Sequence, residues 1–323
     1  MSFYQPRKLS SVNKLLNRLL CLLCAQVALI CCQVTTASAQ FGQPNTLNLD
    51  AIYVPRSYHI RPEDTTRTNS STVQQRIGLG YSFSLSARVD TATGKVRSWM
   101  GMINGNYTML KNRDYPVQVL PDRLLYSELG VIHYHSLKRK WAMMNLFSVG
   151  LNSDLVHIST NDLFINAGFI FMKHFNPNLT LGFGAFAYNV LSTPMVMPGL
   201  LFNWQTTGRF RVLVNVPTEV SVAYGVSKAF ELKAAFRPKN INYDAENRLN
   251  PAKSALMYWE LPIGLEAKIK GKRLDFMMAG GIMPVRSYTY GGRGIRNMFR
   301  SNPPHQFSSN FYVSAGLSYR LKK

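Results

Sequence analysis

Cysteine is missing from most of this 323-residue chain, because all four cysteines lie between residues 21 and 32. The long remainder therefore has no disulfide, no zinc–thiolate site, no iron–sulfur cluster and no cysteine nucleophile. A chain of this length must be held together by other means.

Long apolar runs are also missing. After residue 40 no run reaches the roughly 18 to 20 residues that a transmembrane helix requires. The apolar stretch Leu19–Cys32 is 14 residues long, contains Gln26, and precedes the small-x-small sequence Ala37–Ala39. Four basic residues and no acid come before it: Arg7, Lys8, Lys14 and Arg18. This order predicts a cleaved secretory signal peptide over residues 1–39 and a single mature domain over residues 40–323.

Two other interpretations of the N-terminus fit less well. A membrane anchor needs a longer apolar run. A lipoprotein needs a small residue before the lipidated cysteine, whereas Ile30 and Cys31 precede the two candidates.

Acidic residues are few, with 16 Asp and Glu against 37 Lys and Arg and a formal charge of +21. Such a balance attracts polyanions. We expect no nucleic-acid partner, because the chain is predicted to be exported and its basic residues are scattered. Lipopolysaccharide phosphates, anionic lipid or an anionic solute fit an exported protein better. A charge without a dedicated ligand is the alternative.

Alternation of apolar and polar residues is the dominant pattern. From Val73 to Val89 one face carries valine, leucine, isoleucine and aromatic residues, and the other carries glycine, serine, Arg76 and Arg88. Alternate side chains of a strand point to opposite faces. The pattern predicts an all-β, antiparallel transmembrane β-barrel with one face toward lipid and the other toward an aqueous lumen.

Similar alternation recurs along the chain. The clearest further strands are 210–216, 220–226, 257–269 and 311–321; less regular ones lie near 45–55, 95–110, 123–137, 140–152, 162–174, 178–191, 198–206, 229–241 and 272–286. Short turns alternate with longer loops, as in outer-membrane barrels whose termini are periplasmic. The count is 14 strands if Pro217-Thr218 forms a tight outer turn, and 12 if 210–226 is one strand and 198–206 belongs to a loop. We predict 14, because that division gives segments close to bilayer length.

A soluble β-sandwich could use the same alternation. Aromatic residues near the strand ends and small polar residues on the opposite faces favour the membrane barrel. Segments 140–152 and 178–191 are apolar on both faces, so we expect them to pack against a plug, a loop or a narrow lumen.

The chain resembles the outer-membrane β-barrel proteins of Bacteroidota-type bacteria, many of them domains of unknown function. The resemblance is carried by the segments Leu47–Val54, Asn203-Trp204, Val214–Pro217, Tyr224 and Leu317–Leu321. It implies an outer-membrane location and a last strand recognised by the barrel-assembly machinery. That strand usually ends in an aromatic residue, whereas here the aromatic is Tyr319.

The function expected from this pattern is a passive pore or transporter for small solutes, with a preference for anions. Its partners would be outer-membrane lipids, lipopolysaccharide and the assembly machinery, and the oligomeric state is open. The alternative is a non-conducting barrel that scaffolds an envelope complex. The candidate pore-lining residues are Arg76, Arg88, Arg211, Glu219, Glu231, Lys233, Arg237, Glu260, Glu266, Lys268 and Lys270. Rings of such charges set ion selectivity, and pairing among them would instead hold the wall together.

Three motifs suggest other chemistry. His157-Ile158-Ser159 with Asn161 has the residue types of a serine lipid hydrolase. His133 and His135 share one strand face, as a metal pair would. The glycine-rich segment 290–294 lacks the lysine and the strand–loop–helix setting of a phosphate-binding loop. We expect no enzyme activity, no metal and no cofactor.

Overall fold

A computed structural model describes residues 45–116, 120–191, 194–245, 254–293 and 304–321. The predicted signal peptide, residues 1–39, lies outside the described residues. The described part contains sixteen β-segments and one short 3₁₀ helix, Thr160–Asp162. The β-segments are β1 Thr46–Ile60, β2 Arg67–Asp90, β3 Lys95–Arg113, β4 Arg123–Ser136, β5 Trp141–Ser153, β6 Leu163–Asn176, β7 Leu179–Tyr188, β8 Met195–Gln205, β9 Phe210–Val216, β10 Glu219–Gly225, β11 Phe230–Phe236, β12 Lys239–Asp244, β13 Ala255–Lys270, β14 Leu274–Gly291, β15 His305–Phe307 and β16 Asn310–Arg320.

These segments form one closed, antiparallel barrel of 14 strands. β11 and β12 pair with successive halves of β13 and count as one interrupted strand. β15 and β16 likewise share the neighbours β1 and β14. The ring closes where β16 pairs with β1, from Thr46 opposite Arg320 to Tyr53 opposite Val313. The predicted count of 14 is confirmed, with β9 and β10 joined at Pro217-Thr218.

The barrel has a turn end and a loop end. The turn end holds both ends of the barrel sequence, Thr46 and Arg320, together with the short connections such as Thr91–Gly94 between β2 and β3. The loop end holds the longer connections, apart from the tight turn between β9 and β10.

The outside of the barrel is apolar. On β13, β14 and β16 the outward Leu265, Met278 and Phe311 are 71%, 71% and 70% exposed. Exposed aromatic residues gather near the turn end: Trp99, Phe175, Trp204, Phe210, Phe276 and Tyr319. A soluble protein rarely exposes apolar surface on this scale, whereas a membrane barrel needs an apolar band flanked by aromatic girdles. The described part contains no helix that is long and apolar enough to cross a membrane.

A bulge in β2 corrects one sequence prediction. Ser84 lies opposite Met100 and Ser86 lies opposite Trp99, so Leu85 is an extra residue on β2. An extra residue exchanges the two faces of the strand beyond it. Arg88 therefore shares the outward face of Trp99 and is exposed at the turn end. The prediction that Arg88 lines the pore is wrong.

The two largest apolar clusters of the described part fill opposite ends of the interior. The loop-end core comprises Leu110, Leu120, Leu124, Tyr243, Ala245, Leu256, Tyr258, Tyr288 and Phe307. The turn-end core comprises Tyr134, Ala142, Ile170 and Met172, with Val96, Met144, Phe186 and Leu201 packed against it. Gly168 leaves the space that the Phe186 ring occupies. Residues from β5 and β7 thus narrow the lumen, as their two apolar faces predict.

β12 leaves the wall and crosses the lumen. Its Asp244 pairs with Ser153 of β5, and the Asn152 side chain donates a hydrogen bond of 2.9 Å to the Asn242 carbonyl oxygen. The loop-end half therefore closes through β12 and β5. Strands β6 to β10 lie outside that smaller ring.

Candidate solute-binding cavity

Two adjoining cavities lie in the barrel interior. The larger has a volume of about 710 Å³ and the smaller about 330 Å³. Both are lined by Asn48, Asp50 and Lys239, so they meet at these residues. The smaller cavity continues past Lys268 and Asp275 toward the turn end.

Asparagine dominates the polar lining of the larger cavity. The asparagines come from six strands and from the β7–β8 connection: Asn48, Asn104, Asn106, Asn152, Asn166, Asn189, Asn215, Asn240 and Asn242. Several occupy inward positions of the alternating pattern, such as Asn48 on β1 and Asn104 on β3. Such a lining offers neutral donors and acceptors to a solute.

Three of these amides have an unused acceptor. In the described part of the chain, the side-chain oxygens of Asn152, Asn240 and Asn242 are buried without a hydrogen-bond partner. Asn152 is 5% exposed and Asn242 is 9% exposed. A buried polar atom without a partner is costly, so it needs an explanation. One explanation is a solute that binds in the cavity and donates hydrogen bonds to these oxygens.

The charged side chains of the larger cavity are mainly acidic: Asp50, Glu128, Glu219 and Lys239. Glu128 is held by the Tyr126 hydroxyl at 2.6 Å and by the Asn104 amide at 3.2 Å. The Tyr126 ring stacks on Phe164, with centroids 5.5 Å apart. The cavity thus combines acceptors with flat apolar faces.

Predicted pore-lining residues cluster on β10, β11 and β13. Arg237 donates to Glu219 at 2.8 Å and to Glu266 at 2.6 Å. The Lys233 ammonium lies 3.1 Å from Glu266 and 3.5 Å from Glu219. These four side chains form one network on the inner wall.

A second network lies toward the turn end. Glu231 accepts from Lys270 at 2.6 Å and from Arg211 at 3.1 Å. Lys268 pairs with Asp275 at 3.4 Å. The side chains of Arg211 and Lys270 are the more exposed members, so solvent screens these pairs.

A third network is fully buried beneath the loop-end core. Arg76 binds Glu260 through two hydrogen bonds of 2.6 and 2.7 Å, and Gln74 donates to the same carboxylate at 2.5 Å. Arg286 donates to the Gln74 side chain at 3.3 Å. Paired, hydrogen-bonded charges are the form in which ions are tolerated away from water.

Ten of the eleven predicted residues therefore take part in inward-facing ion pairs, and Arg88 does not. Because these charges are paired, they favour a role in stabilising the barrel wall. They do not form rings of unpaired charge that would select ions. Sequence reasoning did not single out the asparagines, Glu128 or Lys239. The inward positions of the alternation were the one signal that could have identified them.

Two of the motifs for other chemistry have structural roles, and the glycine-rich segment 290–294 lies partly outside the described residues. The Ser159 side chain caps the 3₁₀ helix by accepting from the Asn161 amide at 3.1 Å. His133 stacks on Trp99 on the outer face, with centroids 4.2 Å apart. Among the described residues, no three His, Cys, Asp or Glu side chains are grouped to hold a metal ion.

Solved structures that resemble the chain are outer-membrane barrels. The COG4313 outer membrane channel from Pseudomonas putida F1 is 7% identical, with 89% of this chain and 99% of that chain covered and a TM-score of 0.38. The translocator domain of the autotransporter NalP from Neisseria meningitidis is 9% identical over 87% and 90% of the two chains, with a TM-score of 0.36. A Pseudomonas aeruginosa FadL homologue is 8% identical over 86% and 89%, with a TM-score of 0.30. At these values the likenesses carry no argument about function.

Sequence comparison gives a family. No curated protein matches the sequence significantly. A family model described as a domain of unknown function, DUF6268, matches residues 35–320. The match spans nearly the whole chain, and the protein belongs to the DUF6268 family.

Proposed function

We propose that the protein is an outer-membrane barrel that passes small polar solutes through its interior cavities. The observation that carries this proposal is the junction of the two cavities at Asn48, Asp50 and Lys239. Together they link the asparagine-lined space to the turn end. By the usual orientation of such barrels, the turn end faces the periplasm.

Export and the outer membrane are part of the proposal. The apolar outer surface and the aromatic residues near the turn end support a bilayer location. A predicted signal peptide over residues 1–39 would supply export. An origin in Bacteroidota-type bacteria and contact with lipopolysaccharide stay predictions.

The preference for anions expected from the sequence is not part of this proposal. The inward-facing cations are paired with carboxylates, and the larger cavity has three carboxylates against the single Lys239. A neutral or cationic polar solute fits this lining better.

The two apolar cores favour a second candidate, a non-conducting barrel that scaffolds an envelope complex. They occupy interior space at both ends of the barrel. The two candidates differ in one outcome, because a scaffold neither binds nor passes a solute in its cavities.

Filling the larger cavity tests the proposal. Gly80 lines this cavity, whereas Ile77 on the same strand is exposed on the outer face and is not part of the lining, so Gly80→Phe and Ile77→Phe place the same ring inside and outside. The measurements are uptake of radiolabelled glucose by protein-containing vesicles and retention of radiolabelled octyl glucoside by protein-containing nanodiscs. We expect the native protein and Ile77→Phe to take up or retain at least one of the two probes, and Gly80→Phe to lose this uptake or retention tenfold or more.

The proposal would be contradicted if the native protein neither took up glucose nor retained octyl glucoside above the protein-free background. The non-conducting scaffold would then be the better explanation. Equal handling by both variants would show that solute does not use the cavity.

A further inference from the structure

The wall of the barrel is low on one side. β9 and β10 have seven residues each, whereas β2 has 24 and β14 has 18. Seven residues span about 23 Å along a strand, or about 18 Å in height at the usual tilt, and the apolar band of a bilayer-spanning barrel is about 25 Å tall. The base of this hairpin carries the ring pair Phe210–Tyr224, which marks the aromatic level at the turn end. Its tip at Pro217-Thr218 therefore stops inside the bilayer.

β12 leaves a gap above this hairpin. The strand turns inward after Arg237, whose amide still bonds to Pro262 of β13 at 3.2 Å, and it reaches β5 at Ser153. We call the resulting gap the notch. It is bounded below by Asn215–Val220 and above by Pro238–Asn242. On one side it is bounded by Tyr188, Asn189, Met195 and Met197.

The larger cavity reaches the notch. Its lining includes Val216, Pro217, Thr218 and Val220 at the hairpin tip, and Thr218 and Val220 are exposed. The way along the barrel axis toward the loop end is different, because the buried side chains of the loop-end core fill it. Access to the asparagine-lined space is thus sideways, at the level of the outer leaflet.

The notch changes character from rim to interior. Apolar side chains line the cavity near the rim: Met195, Met197, Val216, Pro217, Phe236 and Trp259. Deeper in lie Glu128 and the unpartnered oxygens of Asn152 and Asn242. Apolar contacts suit an alkyl chain, and a set of acceptors suits a head group that carries hydroxyl donors.

We propose that the notch is a lateral port through which an amphiphile with a neutral, hydroxyl-bearing head group passes between the outer leaflet and the cavity. This inference rests on the proposed function, since it names the solute class and the route. The tests distinguish the proposed function from the lateral port. Glucose that crosses along the barrel axis would support the function and contradict the port.

The depth of the hairpin tip is the first test. Residues 45–321 contain no cysteine, so single cysteines can be labelled cleanly. Thr218→Cys and Thr65→Cys, the latter in the β1–β2 turn, would each carry a bimane label in reconstituted vesicles. We expect lipids brominated on their acyl chains to quench the label at residue 218, and aqueous iodide to quench the label at residue 65. Iodide quenching without bromine quenching at residue 218 would place the tip in water and overturn the port.

Closing the notch is the second test. The Met195 sulfur and the Asn240 side-chain nitrogen lie 3.7 Å apart across it. Bridging the two cysteines of Met195→Cys/Asn240→Cys with a short bis-methanethiosulfonate reagent, confirmed by mass spectrometry, should reduce octyl glucoside retention at least tenfold, and a reductant should restore it. The two single variants are the controls. Unchanged retention in the cross-linked protein would overturn the lateral route, and glucose uptake unaffected by the cross-link would identify an axial one.

The head-group chemistry is the third test. Asn242→Leu removes an unpartnered oxygen and keeps the shape of the side chain. It should weaken octyl glucoside binding about fivefold, the value of one hydrogen bond, without lowering the unfolding midpoint in urea. Asn145→Leu, on the outer face of β5 opposite His133, should leave binding unchanged. Octanoate bound more tightly than octyl glucoside would contradict the neutral head group.

Discussion

The strands β2 and β10 belong to the same barrel and follow the same alternation, yet they build different walls. β2 has 24 residues and carries Arg76 of the fully buried pair Arg76–Glu260, whereas β10 has seven and begins at the notch. The period of two decides which side chains meet lipid, and strand length decides where the wall stops. Where the wall is tall the interior is closed by buried ions and apolar side chains. Where it is low the cavity is open.

The largest expected effect is on the tall wall. Glu260→Ala leaves the Arg76 guanidinium buried without its carboxylate, and breaking a buried pair in this way costs about 3–5 kcal/mol of unfolding free energy. Glu219→Ala on the low wall should cost about 1 kcal/mol, because Arg237 and Lys233 keep Glu266 and the pair is partly exposed. Urea unfolding of the folded barrel, followed by tryptophan fluorescence, measures both.

The double variant Arg76→Met/Glu260→Met is the control for that comparison. It removes both charges and should recover most of the lost stability. Equal costs for Glu260→Ala and Glu219→Ala would show that the two walls are not held differently.

A smaller effect is expected on the outer face, where the two walls should behave alike. Leu265→Arg on β13 and Val222→Arg on β10 each place a charge on the lipid side, at a cost of about 2–4 kcal/mol near the midplane. Ala92→Arg, in the β2–β3 turn, should cost little. The same unfolding measurement applies, and costs near zero at residues 222 and 265 would be the result of a soluble protein.

The smallest effect concerns the β5–β6 connection. Ser159→Ala removes the cap of the 3₁₀ helix and should cost about 1 kcal/mol of stability. Because its hydroxyl serves the backbone, we expect no hydrolysis of vesicle phospholipid before or after the change. Hydrolysis that is present in the native protein and lost in Ser159→Ala would restore the lipid hydrolase hypothesis.

Much of the fold could be predicted from alternation alone. The period of two, the turn at Pro217-Thr218 and segments close to bilayer length predicted 14 strands, and the segments that are apolar on both faces predicted a narrowed lumen. These features are local, and each is set by side chains within a few residues. Arg88 was misplaced because a single inserted residue, Leu85, exchanges the faces beyond it and leaves no mark in the composition.

The site itself was less accessible to sequence reasoning. Residues 229–241 were predicted as one strand, whereas β11 ends at Phe236 and β12 crosses to β5. That crossing depends on a hydrogen bond between Asn152 and Asn242, 90 residues apart. An asparagine in an alternating strand indicates only a wet face, so no local pattern could show that nine of them would meet.

The junction between β12 and β5 gives the protein a mechanical joint. It consists of the Asp244–Ser153 pairing, the bond from the Asp154 amide to Asp244 and the side-chain bond from Asn152. The opposite edge of β12 is fixed to β13 over six residue pairs. Because β12 is held by six residue pairs to β13 and by only these three contacts to β5, loss of the contacts to β5 would widen the notch. The pairing of β16 with β1, which closes the 14-strand barrel, does not involve β12 and would stay intact.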